Sequence, residues 1–250
     1  MMGYTHAAAG AAGAGAVALI NGEYAAGQFL IAAIAGTIGG IAIDIDTKDR
    51  LENPKVTDAG RTRIAAVFML GVGILLDLML KLGIKAEIME RSYVAVFGLI
   101  CFIILMIVGH TTDHRTFTHT LLYTLITGIC MYLILPEASG YYMLGCLLHL
   151  LLDMLNNPFH NHGIWLFYPI KGKGIALGLC KAARIGNKVF YFVAIIAYTL
   201  IAAIYVSLDI SVWRVLPIMI ITVYMIIAMH FVRVKSEREQ RHIMHMHGEL

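Results

Sequence analysis

Apolar residues run through this chain in long blocks, not in alternation. Residues 5–20, 24–43, 64–82, 92–109, 119–135, 140–155, 189–208 and 212–232 each read as an apolar helix. A helix needs about 20 apolar residues to cross the hydrocarbon core, so all but the shortest blocks have the right length. The ~10-residue alternating segments of a transmembrane β-barrel are missing. The pattern predicts an all-α fold: a polytopic transmembrane bundle of about eight apolar helices, residues 1–232, followed by a solvated tail, 233–250. The first two blocks are rich in small residues, with Gly10, Gly13 and Gly15 in one and Gly36, Gly39 and Gly40 in the other. Small residues let membrane helices approach closely, which predicts a tight hairpin about Asn21-Gly22-Glu23.

Composition agrees. Only 14% of the 250 residues are charged and 59% are hydrophobic, against roughly 25% charged in soluble domains. No Lys or Arg precedes Lys48, so the Ala/Gly-rich start reads as a helix of the bundle and not as a leader. Cys101, Cys130, Cys146 and Cys180 show no CxxC spacing and read as packing residues. A net charge of +3 gives no reason to expect nucleic-acid contact; membrane lipid is the expected partner.

Charge asymmetry orients the bundle. If the 44–63 loop, the 110–118 loop, the 156–188 connection and the tail share one face, that face holds 15 of the 19 basic residues. The positive-inside rule makes it cytoplasmic and, with eight spans, places both termini there. The predicted location is the inner membrane. Lys171, Lys173, Lys181, Arg184 and Lys188 in the connection read as anchors to anionic headgroups. Asp77 and Lys81 read as a snorkelling ion pair near the other face.

Against this background the polar residues inside the apolar blocks stand out. His149 and Asp153 are four apart on a helix and share one face. Ionisable groups at membrane depth are costly and mark function by default. The predicted topology brings further imidazoles and carboxylates to the same level: His6 at the start of the first helix, Asp44 and Asp46 at the end of the second, and His114 and His119 before the fifth. His119 is expected in the first turn of its helix, with Thr118 or Thr116 as cap. Asp44 and Asp46, two apart at a fraying helix end, can both turn toward metal. Imidazole and carboxylate without thiolate suit a divalent ion, one or two, with zinc the first choice and manganese or iron as alternatives. Arg115, beside a helix N-terminus, is placed to clamp an anion. His110, Asp113, His160 and His162 are left without a role, and His242, His245 and His247 lie in the tail.

Tyr4-Thr5-His6, Asp44-Ile45-Asp46, His114-Arg115-Thr116-Phe117-Thr118-His119-Thr120, His149-Leu150-Leu151-Leu152-Asp153 and Gly163-Ile164-Trp165-Leu166-Phe167-Tyr168-Pro169 follow in that order. Together they resemble the YdjM-like family of inner-membrane metal-dependent hydrolases, one member of which is described as LexA-binding. The resemblance covers roughly residues 1–170 and implies a metal site. Ile43, Thr47 and Thr116 stand where that family's motifs carry Pro, His and Gly.

The expected function is a membrane-embedded, metal-dependent hydrolase at the cytoplasmic face, acting on a phosphoester or another lipid-like, amphiphilic small molecule. His6, Asp44, Asp46, His114, His119, His149 and Asp153 are the expected ligands. Arg115 is expected to stabilise negative charge, and a carboxylate left unligated, Asp46 first, to act as base. Two rival readings are a metal-ion or proton transporter and a metal-binding membrane protein without turnover. A transporter needs polar residues along a route to the outer face, and there Asp77 is the main one.

Overall fold

The structure is a computed structural model that describes residues 1–47, 54–113, 115–155, 163–170, 174–179, 185–208 and 212–246. Its helices are α1 (Gly3–Ile20), α2 (Ala26–Ala42), α3 (Pro54–Leu80), α4 (Ile84–Glu90), α5 (Ser92–Thr111), α6 (Leu121–Ile134), α7 (Pro136–Met154), α8 (Ile185–Leu208) and α9 (Val212–Met246), with a 3₁₀ turn at Ile43–Asp46. Among the described residues there is no sheet, only an isolated antiparallel bridge between Ile164 and Ile175.

Among the described residues, five helical stretches are long and apolar enough to cross a membrane: Ala26–Asp46, Asp58–Leu80, Ser92–Thr111, Ile185–Leu208 and Val215–Glu239. Each of the eight expected blocks contains a helix, but α1, α6 and α7 fall short of that length or hydropathy. Helix α1 is mostly Ala and Gly, α6 has only 14 residues, and α7 carries Glu137, His149 and Asp153. Four of the five turn many large apolar side chains outward, among them Phe97, Ile100, Ile104 and Ile107 on α5, whereas Ala26–Asp46 is mostly buried. Such a face is stable only against lipid or another apolar surface.

Glycine sets the centre of the bundle. A Cβ on Gly10 would meet the Gly36 carbonyl, one on Gly39 the Tyr142 carbonyl, one on Gly40 the His6 carbonyl, and one on Gly145 the Gly36 carbonyl. Helices α1, α2 and α7 therefore touch backbone to backbone. Glycine weakens an isolated helix by roughly 0.5–1 kcal/mol relative to alanine; here the cost is offset by close packing that no larger residue permits. Aromatic residues fill the next layer. Tyr4 meets Tyr191 edge-on at 5.2 Å, and Phe29 lies between Tyr198 and Tyr205.

Several boundaries differ from the sequence reading. Helix α3 starts at Pro54, so the basic stretch around Arg61 and Arg63 is helical, not loop. Helix α9 runs on to Met246, and its residues past 232 join the bundle: Ser236 donates to Asp58 at 2.9 Å, Arg61 pairs with Glu239, and Lys188 lies 3.5 Å from Glu237. Asp77 is not the partner of Lys81. Its carboxylate accepts the Ile84 and Lys85 N–H groups at 3.0 and 2.7 Å, capping α4, a helix the hydropathy pattern does not reveal. Lys171, Lys173, Lys181, Arg184 and His247 lie outside the described residues, as do the side chains of His242 and His245.

The glycine contacts give a direct test. Gly145→Ala should lower the melting temperature in detergent, because overpacking of this kind costs about 1–3 kcal/mol. Gly60→Ala, on α3 with nothing within 4 Å of the new methyl group, should leave the melting temperature unchanged or raise it slightly. Equal effects of the two would contradict backbone contact between α2 and α7.

Candidate metal centre

One end of the bundle gathers the histidines and aspartates singled out above. The first turn of α1 supplies His6, the 3₁₀ turn after α2 supplies Asp44 and Asp46, the approach to α6 supplies His119, and the last two turns of α7 supply His149 and Asp153. Asp44, His119, His149 and Asp153 each offer one ligand atom, and these atoms all lie within 4.8 Å of one another. Asp44 Oδ1 is 3.5 Å from His119 Nε2 and 3.6 Å from His149 Nε2. Asp153 Oδ2 is 3.6 Å from His119 Nε2 and 3.8 Å from His149 Nε2. The three from α7 and the α6 approach are buried.

The helix-end chemistry behind this geometry is local. In a 3₁₀ turn with three residues per turn, positions i and i+2 point apart. Asp44 and Asp46 accordingly reach His119 from opposite sides, Asp44 at Nε2 and Asp46 Oδ2 at Nδ1, 3.3 Å away. The turn is braced by Thr47, whose hydroxyl donates to the Asp44 carbonyl at 2.7 Å, by Arg63, which donates to the same carbonyl, and by His110, whose Nδ1 lies 2.9 Å from the Ile45 carbonyl. Asp46 also accepts the Arg115 N–H at 3.0 Å and the Thr118 hydroxyl at 2.6 Å.

His119 does not start the helix. Thr120 is the cap, its hydroxyl accepting the Tyr123 N–H at 3.0 Å, so the expected capping by Thr118 or Thr116 is corrected. Thr118 is thereby released to link Asp46 to His119, whose Nδ1 lies 3.1 Å from the Thr118 hydroxyl.

The tautomers follow from these partners. His149 Nδ1 donates to the Gly40 carbonyl at 2.7 Å, which turns Nε2 toward Asp44 and Asp153. That Nε2 is buried and has no hydrogen-bond partner. Asp46 and Thr118 act on His119 in the same sense, fixing Nδ1 as the donor. Ligating histidines ordinarily give their second N–H to a carboxylate or carbonyl in this manner. Two buried carboxylates and two imidazoles with their Nε2 atoms turned inward suit a divalent cation, so the residues present fit the group the sequence called for.

Other expected site residues take different places. His6 lies outside the group of four; its ring stacks on that of His149 at 3.8 Å, and its Nε2 is 3.3 Å from Asp153 Oδ1. The Met1 amine donates to that same oxygen. Arg115 meets the site through its backbone: it adopts a left-handed conformation (φ 68°), donates to Asp46, and accepts the Trp165 N–H at 3.3 Å. The carbonyl of Asp113 accepts the Thr116 N–H at 3.2 Å. His114, His160 and His162 lie outside the described residues.

Sequence reasoning missed the anchors of α1. Asp58 accepts the Gly3 N–H at 2.6 Å, and Asn187 accepts the Met2 N–H at 3.0 Å and the Thr5 hydroxyl at 3.1 Å. These two buried groups on α3 and α8 satisfy the open N-terminus of α1 and so fix where His6 stands. A signal was present: Asn187 and Asp58 are polar residues at the rims of long apolar runs.

Asp46→Asn should weaken divalent-metal affinity by roughly 10–100-fold while leaving the number of ions bound unchanged, the usual effect of removing a hydrogen-bond partner behind a ligating histidine. Competition with a chromophoric chelator measures it. An affinity equal to wild type would show that Asp46 does not orient His119.

The model of the YdjM inner membrane protein family matches residues 1–234, nearly the whole chain. Comparison with curated proteins and with solved structures gives no match. With its apolar helices and its group of Asp and His side chains at one end, the chain belongs to the YdjM inner membrane protein family.

Proposed function

We propose that this protein is a membrane-embedded, metal-dependent hydrolase whose site opens at the cytoplasmic face of the inner membrane. One observation carries the reading: Asp44, His119, His149 and Asp153, from three separate parts of the chain, bring ligand atoms within 4.8 Å of one another in a buried setting. Zinc is the first candidate for this donor set, manganese or iron the next. When bound, such an ion supplies Lewis acidity and an acidified water for hydrolytic attack. The chain's own part is to hold the ligands at fixed tautomers through the Gly40 carbonyl and Asp46, and to exclude bulk water with α1, α2 and α7.

The sidedness rests on the company the site keeps. Arg63 donates to the Asp44 carbonyl, and Arg61, Lys188 and Arg233 make their ion pairs at the same end, where α3, α8 and α9 meet the start of α1. A basic rim is what the cytoplasmic side of an inner-membrane protein carries. A site at a helix end, among lipid-facing helices, is reached most directly by an amphiphile. The basic rim favours an anionic one, and a phosphoester is the bond we assign. The single membrane-embedded domain extends past residue 232 along α9 in this reading. Arg115 contributes positive charge from the loop that also fixes Asp46.

The test is metal analysis of the purified protein combined with hydrolysis of chromogenic phosphoesters and phospholipids. Wild type should retain a divalent ion and turn over at least one substrate. His149→Ala and Asp44→Ala should each lower turnover by roughly 10³-fold or more, with the metal lost, since the metal's contribution to the barrier goes with it. Metal retained by both variants would contradict the site. Metal bound by wild type, with flux into proteoliposomes and no hydrolysis, would replace the enzyme with a transporter.

A further inference from the structure

The four-residue group leaves a chemical difficulty. A divalent ion held by four protein ligands is closed, the arrangement of structural sites, whereas hydrolytic sites keep positions open for water and substrate. The structure contains an unused imidazole beside it. His6 is buried, and neither of its ring nitrogens has a hydrogen-bond partner. A buried imidazole ordinarily satisfies at least one of its nitrogens.

The placement of His6 is specific. Its ring lies on that of His149, with centroids 3.8 Å apart and planes within 17°. Both rings present Nε2 to Asp153, but to different oxygens: His6 to Oδ1 at 3.3 Å, His149 to Oδ2 at 3.8 Å. In two-ion hydrolytic sites the ions stand about 3.5–4 Å apart. Two parallel imidazoles at this spacing, each facing one oxygen of a shared carboxylate, are matched to such a pair.

Building on the metal centre described above, we propose that a second divalent cation binds at His6 Nε2 and Asp153 Oδ1, with the Asp153 carboxylate bridging it to the ion held by Asp44, His119 and His149. The two ions then form one hydrolytic centre, in which the first is the more fully ligated. The second has only two side-chain ligands, so its remaining positions are free for water and an anionic substrate oxygen. The Met1 amine donates to Asp153 Oδ1, so a cation there takes over a contact that a positive group makes in the structure. Asp58 and Asn187, which hold the first turn of α1, set the position of the second ion without touching it.

The experiment is a titration of metal-stripped protein in detergent with Mn²⁺, read by bound-metal stoichiometry and by electron paramagnetic resonance. Wild type should take up two ions per chain and show an exchange-coupled spectrum, since a carboxylate bridge couples neighbouring Mn²⁺ spins. His6→Ala should take up one ion with an uncoupled spectrum and retain its affinity within a few-fold. One uncoupled ion in wild type, or two in His6→Ala, would overturn the second site; the first of these, with hydrolysis intact, would leave the hydrolase reading standing. No bound ion in wild type would overturn both. The wild-type titration decides the matter even if His6→Ala does not fold.

Discussion

Two carboxylates from different helices, Asp44 and Asp153, are held with oxygens within 4.8 Å in a largely apolar bundle. At that spacing, with an effective dielectric of about 20, they repel by roughly 3–4 kcal/mol. Desolvation adds several kcal/mol for each buried charge. Positive charge must therefore be supplied among them. The described residues supply some through the Met1 amine at Asp153 and through His119, which is surrounded by three carboxylates. A divalent ion would meet the same need more fully, using the inward-turned Nε2 of His149, which the protein itself leaves without a hydrogen bond.

Everything else in the structure can be seen as holding that unfavourable arrangement in place. The glycines of α1, α2 and α7 bring three backbones into contact, and Gly40 does double duty: its missing side chain admits the His6 carbonyl, and its own carbonyl orients His149. The loop before α6 is fixed just as tightly. Arg115 sits in a left-handed conformation that costs a non-glycine residue about 1–2 kcal/mol, offset by its N–H bond to Asp46 and its carbonyl bond to Trp165. The segment from Gly163 to Pro169 is thus tied to the centre through backbone, which explains why it accompanies the histidine and aspartate motifs in the sequence.

Much of this was legible in the chain. His149 and Asp153 had to share a helical face, and an alternation of the apolar blocks across a bilayer would bring Asp44 and His119 to the same level. What the sequence did not reveal depends on partners distant along the chain. Asp46 looks equivalent to Asp44, yet the 3₁₀ turn sends it to the far side of His119, and no spacing rule distinguishes a helix that frays from one that tightens. Thr118 reads as a cap but serves Asp46, because Thr120 takes the cap instead. Helix α3 begins before its apolar run, and α9 continues beyond its own. Hydropathy marks where a helix can meet lipid, not where its hydrogen bonds end, and the polar turns of both are stabilised by contacts with each other.

Imidazole and carboxylate, with no thiolate, are the donors this bundle gathers for a metal ion. X-ray absorption at the metal edge of the purified protein tests it most directly. The expected result is a first shell of nitrogen and oxygen only, at about 2.0–2.2 Å, with the outer-shell scattering of at least two imidazoles. A shell containing sulfur at about 2.3 Å, or a metal signal without imidazole, would contradict it.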